Sequence, residues 1–412
     1  MNTPLPVNSG DTAWVLISSG LVMLMTPALA FFYGGMVSRK NILAILMNCF
    51  ACLSIVLLLW VIYGYSLAFA PGNSFIGGLQ WAGLKGIGFA PHPDYGPTIP
   101  HTAFVIYQAM FAVITPAVII GSLVERIKFS AFLIFIIFWL TLVYIPICHM
   151  VWGSGGWFRS MGLLDFAGGT VVEINCGVAG LISALFLGKR LGLTRPTLHN
   201  IPFVVLGGGL LWFGWLGFNA GSALAANGIA ANAFLTTNIA AAAAGLSWAA
   251  IEWFSTGKPT MFGTISGVIA GLVSITPACG FVDPMAAMFI GFIAGGISYI
   301  AVSIVKQKFG YDDSLDAFGV HGIGGFWGVI ATGIFATTAV NPSGADGLLS
   351  GNTAQFKIQL LAASVTVVYC ASVTAVICFV VDKIIGMRVR PEDEIMGLDL
   401  TQHHERAYTI LD

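Results

Sequence analysis

Eleven stretches of this chain are long and apolar enough to cross a bilayer. They cover about 12–36, 42–70, 101–123, 130–151, 166–188, 201–221, 233–254, 261–279, 285–305, 316–337 and 356–386. A bilayer core takes about 20 apolar residues of helix. Backbone groups in lipid must satisfy one another, so runs of this length fold as helices. Only 8% of the 412 residues are charged and mean hydropathy is +0.89, against about 25% charged in soluble domains. So little charge cannot coat a water-soluble protein of this size. The fold class predicted is an all-α, multi-pass membrane protein. A net charge of −1 suggests no nucleic-acid partner. The 51 glycines suit closely packed membrane helices.

The cysteines number seven (Cys49, Cys52, Cys148, Cys176, Cys279, Cys370 and Cys378) and lie mostly in apolar spans. An odd number so placed argues against a disulfide framework. Cys49 and Cys52 form CxxC inside a continuous apolar run and read as small core residues. The N-terminal MNTPLPVNSGDTAW has no basic residue and does not resemble a cleaved signal peptide.

Positive charge sets the expected orientation. Connections after odd-numbered spans carry Arg39, Lys40, Arg126, Lys128, Lys189, Arg190, Arg195, Lys258, Lys306 and Lys308. The C-terminal end adds Lys383, Arg388, Arg390 and Arg406, leaving Lys85, Arg159 and Lys357 on the other side. The N-terminus is expected outside and the C-terminus in the cytoplasm, as an odd number of spans requires. The last span would be about 46 Å long at 1.5 Å per residue, so it must tilt or project.

Eleven spans permit five plus five inverted spans with a long eleventh. Span five opens on Asp165 and carries Glu173; span ten opens on Asp316 and carries His321. Glu173 then sits about 12 Å, and His321 about 8 Å, past those starts, near the middle of a core about 30 Å thick. A charge at that depth persists when paired or facing a water path. Glu173 and His321 are expected to face each other, as a proton-handling pair or as a structural hydrogen bond. Polar groups at the midplane of inverted repeats mark transporters.

Other groups have structural explanations. Asp165 suits the N-cap of span five, and Asp312, Asp313 and Asp316 suit the start of span ten. Glu125, Arg126 and Glu252 suit the cytoplasmic interface. His149 reads as structural near the outer surface, and His403 with His404 as solvated. Among the aromatics Phe111, Trp152, Trp215 and Phe218, with Ser222 one turn past Phe218, could hold a cation at an outer mouth.

Several stretches together resemble the ammonium transporter (Amt/Mep/Rh) superfamily, in its ammonium transporter branch. They are FFYGGMVSRKN, YGYSLAF, IIGSLVERIKFSAFLIF, WLTLVYIPICHMVWG, LDFAGGTVV, WFGWLGFNAGSALAAN, SGVIAGLVSITPACGFV, DAFGVHGIGG and GLDLTQHHERAY. The resemblance implies eleven helices, an inverted repeat and a homotrimer with one narrow apolar pore per subunit. Phe111, Trp152 and Ser222 match the outer ammonium-recruitment site, with Asp165 in support. Phe111 and Phe218 match the rings closing the entrance, Trp215 a pore-wall tryptophan, and His321 the second of twin pore histidines. The first histidine, in TVVH, is replaced by Glu173 in TVVE. The domain reading is a transporter domain over 1–386 and a cytoplasmic regulatory tail over 387–412. In many bacterial relatives a PII-type signal protein docks on that face.

These readings combine into electrogenic ammonium or methylammonium uptake across the plasma membrane without a cofactor or metal. Ammonium can donate hydrogen bonds and release a proton, whereas K⁺ cannot. An ionised Glu173 would lower the barrier to cations. The alternatives are an ammonium sensor with little transport and an Rh-like neutral gas channel. No kinase or cyclase domain follows residue 412, which weighs against a fused sensor. Trp152 and LDFAGGT favour the ammonium branch over the gas channel. No nucleophile, metal or cofactor motif supports an enzyme.

Overall fold

The computed structural model describes residues 6–191 and 198–408. Arg195 and the extreme ends of the N-terminal segment and the tail lie outside the described residues. Eleven helices follow the apolar runs: α1 Ser9–Met36, α2 Ile42–Phe69, α3 His101–Leu123, α4 129–152, α5 Gly169–Leu187 and α6 Ile201–Ala220, then α7 Gly228–Thr256, α8 Met261–Ile275, α9 Pro284–Phe309, α10 Phe318–Phe335 and α11 Thr353–Ile385. Ten spans are long and apolar enough to cross a membrane; α8 is shorter and continues as turns. At 33 residues α11 is about 50 Å long. It presents Val368, Val376 and Phe379 outward.

Small residues set the packing. Gly207 and Gly214 of α6 lie against the Ala28 carbonyl and Met25 of α1. The alanine-rich middle of α7 sits between Gly267 and Gly271 of α8 and Gly291 and Gly295 of α9. Backbones approach this closely only where side chains are minimal.

Caps fix the helix ends. Asn8, Asn227, Thr260 and Asp283 each accept an amide hydrogen at the start of α1, α7, α8 and α9. π-helical turns interrupt the spans at Trp60–Gly64, Leu140–Tyr144 and Ala301–Val305, and open both α5 (Gly169–Ile174) and α10 (Phe318–Gly322). Such turns widen a helix locally and frequently accompany function. Glu173 and His321 both stand in them.

The inverted repeat carries one correction to the sequence reading. Asp313, not Asp316, caps α10: its carboxylate accepts from the amides of Ala317 and Phe318. Asp316 instead pairs with Lys306 at 2.6 Å and has φ +62°. The register is therefore the same in both halves. Glu173 lies eight residues past Asp165, and His321 eight past Asp313.

The basic face is a lattice of ion pairs. Arg190 joins Glu125 at 2.6 Å and Asp312 at 2.9 Å. Burial raises both carboxyls, but the adjoining guanidinium outweighs it: Glu125 is lowered and Asp312 falls to about 2. Fully buried Arg126 bonds the carbonyls of Ser122 and Asp312.

The tail is not a free polar segment. It forms two short helices, α12 Pro391–Met396 and α13 Leu398–His403. The Val389 amide donates to the Arg126 carbonyl, and the Lys128 amide to Met387. Leu398 and Asp399 bond Asn41 and the Ala44 amide. His403, expected in solvent, is half-buried with its ring 5.0 Å from that of Phe129; His404 is exposed.

Candidate functional site

A cavity of about 250 Å³ opens on the face opposite the basic lattice. Trp152, Asp165 and Ser222 line it, with Gln108, Phe104, Tyr95 and Arg159. The Trp152 indole donates to the Asp165 carbonyl at 3.0 Å, which fixes its ring. Ser222 Oγ lies 2.9 Å from the Phe218 carbonyl and 3.1 Å from the Tyr107 hydroxyl. Tyr107, fully buried, also donates to the carbonyls of Gly217 and Phe218 and so holds the end of α6.

Asp165 faces the vestibule but its carboxylate is already engaged. It accepts from the amides of Gly168, Gly169 and Thr170 and from the Thr170 hydroxyl. It satisfies the orphan donors that open α5. Bonds to an ionised group contribute about 1.5–3 kcal/mol each, so this carboxylate is a structural fixture.

The floor of the vestibule is a pair of rings. Phe111 and Phe218 lie 4.3 Å apart at 37° and are both buried. Phe111 meets Trp152 edge-on at 5.7 Å. Phe111 is thus beneath the vestibule rather than in its wall, while Phe218 lines the next cavity inward.

Two narrow cavities of about 20 Å³ follow, each room for about one water. The first is bounded by Phe218, Trp215, Val172, Glu173 and His321. The second is bounded by Phe32, Trp248, Ser266, Asp316 and His321. Phe32, Ile269 and His321 border both, so the two spaces adjoin. Trp215 is pinned by its indole N–H to Thr276 Oγ1 at 2.9 Å.

At the junction His321 Nδ1 lies 2.7 Å from Glu173 Oε2, and both residues are buried. The expected pairing is therefore present, between helices of opposite direction. Their approach depends on two glycines, each four residues further on. A Cβ at Gly177 would collide with the Gly322 backbone nitrogen, and one at Gly325 would lie 2.6 Å from Glu173 Cβ.

His149, placed by sequence near the outer surface, is fully buried and bridges the Ala68 and Asn73 carbonyls at 2.8 Å each. Sequence reasoning missed Gln108, Tyr107, Phe32 and Thr276. The Gln108 amide oxygen has no partner among the described residues although it is buried beside the vestibule. A Gln one turn before Phe111 on the same helix was a usable signal.

A family model described as Ammonium Transporter Family matches residues 13–408. The chain belongs to the ammonium transporter family. It is 54% identical to an ammonium transporter of Bacillus subtilis over 399 residues, covering 97% of this chain and 98% of that relative. It is 46% identical to ammonium transporter Amt1 of Archaeoglobus fulgidus, covering 98% and 100%. Among solved structures, Saccharomyces cerevisiae Mep2 superposes with a TM-score of 0.87 at 34% identity, covering 94% and 89%. A structure described as a Sensor Amt Protein gives 0.87 at 27% identity, covering 96% and 98%. The members of this family are transporters, and the expected multi-pass, all-helical class and the absence of an enzyme role agree with it.

Proposed function

We propose that this chain takes up ammonium across the plasma membrane, with net movement of charge through the Glu173/His321 waist. One observation carries the reading: an outer vestibule, the stacked Phe111/Phe218 rings, and two adjoining inner cavities that share His321, which is hydrogen-bonded to Glu173. Ammonium is recruited in the vestibule against Trp152 and the hydroxyl of Ser222, above the floor formed by Phe111, where a cation gains from ring quadrupoles. The Gln108 amide oxygen supplies a further acceptor for an N–H donor.

Below the rings the lining is apolar, and an intact cation there is costly. Ammonium overcomes this by shedding a proton, which K⁺ cannot do. The carboxylate and imidazole both accept and donate, so they pass the proton while the neutral amine moves on. Glu173 adds negative charge when ionised and lowers the barrier relative to two imidazoles. The basic face is the cytoplasmic one, the N-terminus is outside, and three subunits assemble with their outward apolar faces against lipid and one another. The docked tail, with loop 124–128, offers a surface to a PII-type signal protein.

The test is solid-supported-membrane current on proteoliposomes with ammonium, methylammonium and K⁺. The wild type should give ammonium-dependent currents that respond to membrane potential. Glu173→His should slow flux and sharpen discrimination against K⁺. Unchanged currents and unchanged K⁺ leak in that variant would overturn the role of Glu173. Likeness to the Sensor Amt Protein favours one second reading. Measurable ammonium binding with no current would select that sensor role.

A further inference from the structure

Cys176 is a soft potential metal ligand beside the waist that the transport reading leaves unused. It stands three residues past Glu173, on the same side of α5. Its sulfur lies 3.4 Å from the Glu173 carbonyl. One ligand atom each from Glu173, Cys176 and His321 lie within 4.8 Å of one another, and all three residues are buried. We propose that these three side chains form a binding site for a soft monovalent metal ion of the copper(I) or silver(I) class, and that its occupation plugs the conduit.

The geometry suits such an ion. Zinc–thiolate bonds are about 2.3 Å and zinc–imidazole bonds about 2.0–2.1 Å, a guide to the span that these two ligand types set around one ion. A sulfur and a ring nitrogen on opposite sides of one ion are then roughly 4.4 Å apart. That fits inside the spread of the three ligand atoms. Thiolate selects soft ions and imidazole accepts them. The carboxylate supplies a third, weaker contact.

Charge also favours a monovalent ion. As the ion binds a sulfur lone pair, the thiol proton leaves along the conduit to water. One positive charge replaces another, and no electron is transferred. The proton between Glu173 and His321 is undisturbed in number. The midplane charge is unchanged, so the solvation penalty for adding a buried charge does not arise. A hydrated divalent ion is too large for cavities of about 20 Å³. A filled site would close the junction bordered by both inner cavities.

The proposal stands on the ligand geometry and rests on the transport reading only for access. Its test uses silver nitrate in chloride-free buffer on wild type, Cys176→Ala and Cys49→Ala proteoliposomes. The wild type and Cys49→Ala should lose ammonium current, with recovery on adding dithiothreitol. Cys176→Ala should keep its current, having lost the sulfur that holds the ion. Equal block of Cys176→Ala would overturn the plug. Binding is read separately by X-ray absorption at the silver edge and by calorimetry. The wild type should bind one more silver per subunit than Cys176→Ala, and that ion should show nitrogen or oxygen beside sulfur. No difference in stoichiometry would overturn the site. This second readout holds even for a chain that passes no current.

Discussion

The entrances of α5 and α10 are built to one plan and finished differently. Each has an aspartate cap, a titratable group eight residues on and a contact glycine four beyond it. At α5 the cap is bonded by its own helix and faces an open cavity. At α10 the cap is also tied to Ser122 of α3 at 2.6 Å, beside the Arg126–Asp312–Arg190 lattice. The shared plan sets the depth of the waist; the differing finish leaves one cap beside an open cavity and ties the other into the lattice.

The strongest way to break the comparison is to make the waist symmetric with acids. His321→Glu should abolish ammonium current, because two carboxylates within a hydrogen bond of each other in an apolar cavity cannot both ionise. Adding Glu173→His to it restores an acid–imidazole pair with the roles exchanged across the pseudo-twofold axis. The double variant should recover current that the single one lacks. A double variant as inactive as the single would show that the two positions are not interchangeable.

Gly177→Ala comes next. The added methyl would press on the backbone of Gly322 and His321, and overpacking of this kind costs about 1–3 kcal/mol. Thermal unfolding in detergent should show it near the upper end. Gly296→Ala, with only the end of the Ile251 side chain nearby, should leave stability almost unchanged.

A smaller effect separates the two caps. Loss of a capping side chain costs about 0.5–2 kcal/mol. Asp165→Ala should also loosen Trp152, whose indole bonds the Asp165 carbonyl, and this should appear as a fluorescence change. Asp313→Ala should lower the melting temperature without that change. Identical fluorescence in the two variants would erase the distinction.

The smallest effect is on acid stability. Asp312 falls from 3.8 to about 2 in the folded chain, because Arg190 outweighs the effect of burial. Its folded value is depressed, so its contribution is complete above about pH 4. It is lost as pH falls through about 2. Asp312→Asn should lower the melting temperature at neutral pH and flatten its decline between those limits. A slope equal to the wild type would place the acid-sensitive groups elsewhere.

Much of this architecture was legible in the chain. Eleven apolar runs locate eleven helices, because lipid leaves the backbone no other solution. The acid and the histidine were legible as a pair because each is a strongly polar group placed by sequence near the middle of an apolar span. Span ten was opened on Asp316, with Asp312 and Asp313 also suiting its start, and the choice among them has a physical basis. Asp312, Asp313 and Asp316 share one loop, and which carboxylate reaches the amides depends on where Arg190 and Lys306 draw the other two. The burial of His149 and the seating of His403 on Phe129 were equally out of reach, since both depend on segments remote in sequence. Phe111 was assigned both to the recruitment site and to the rings closing the entrance, and it lies against Phe218 in the second of these places.

The docking of the tail has a mechanical consequence. Residues 387–389 are laced to loop 124–128 by two backbone rungs. Arg126 in that loop clasps Ser122 and the Asp312–Ser314 turn, and Ser122 holds the aspartate from which α10 begins. A body settling on the basic face therefore rests on a strut whose far end is the foot of the helix bearing His321. Prising up that strut would unfasten the foot along with it.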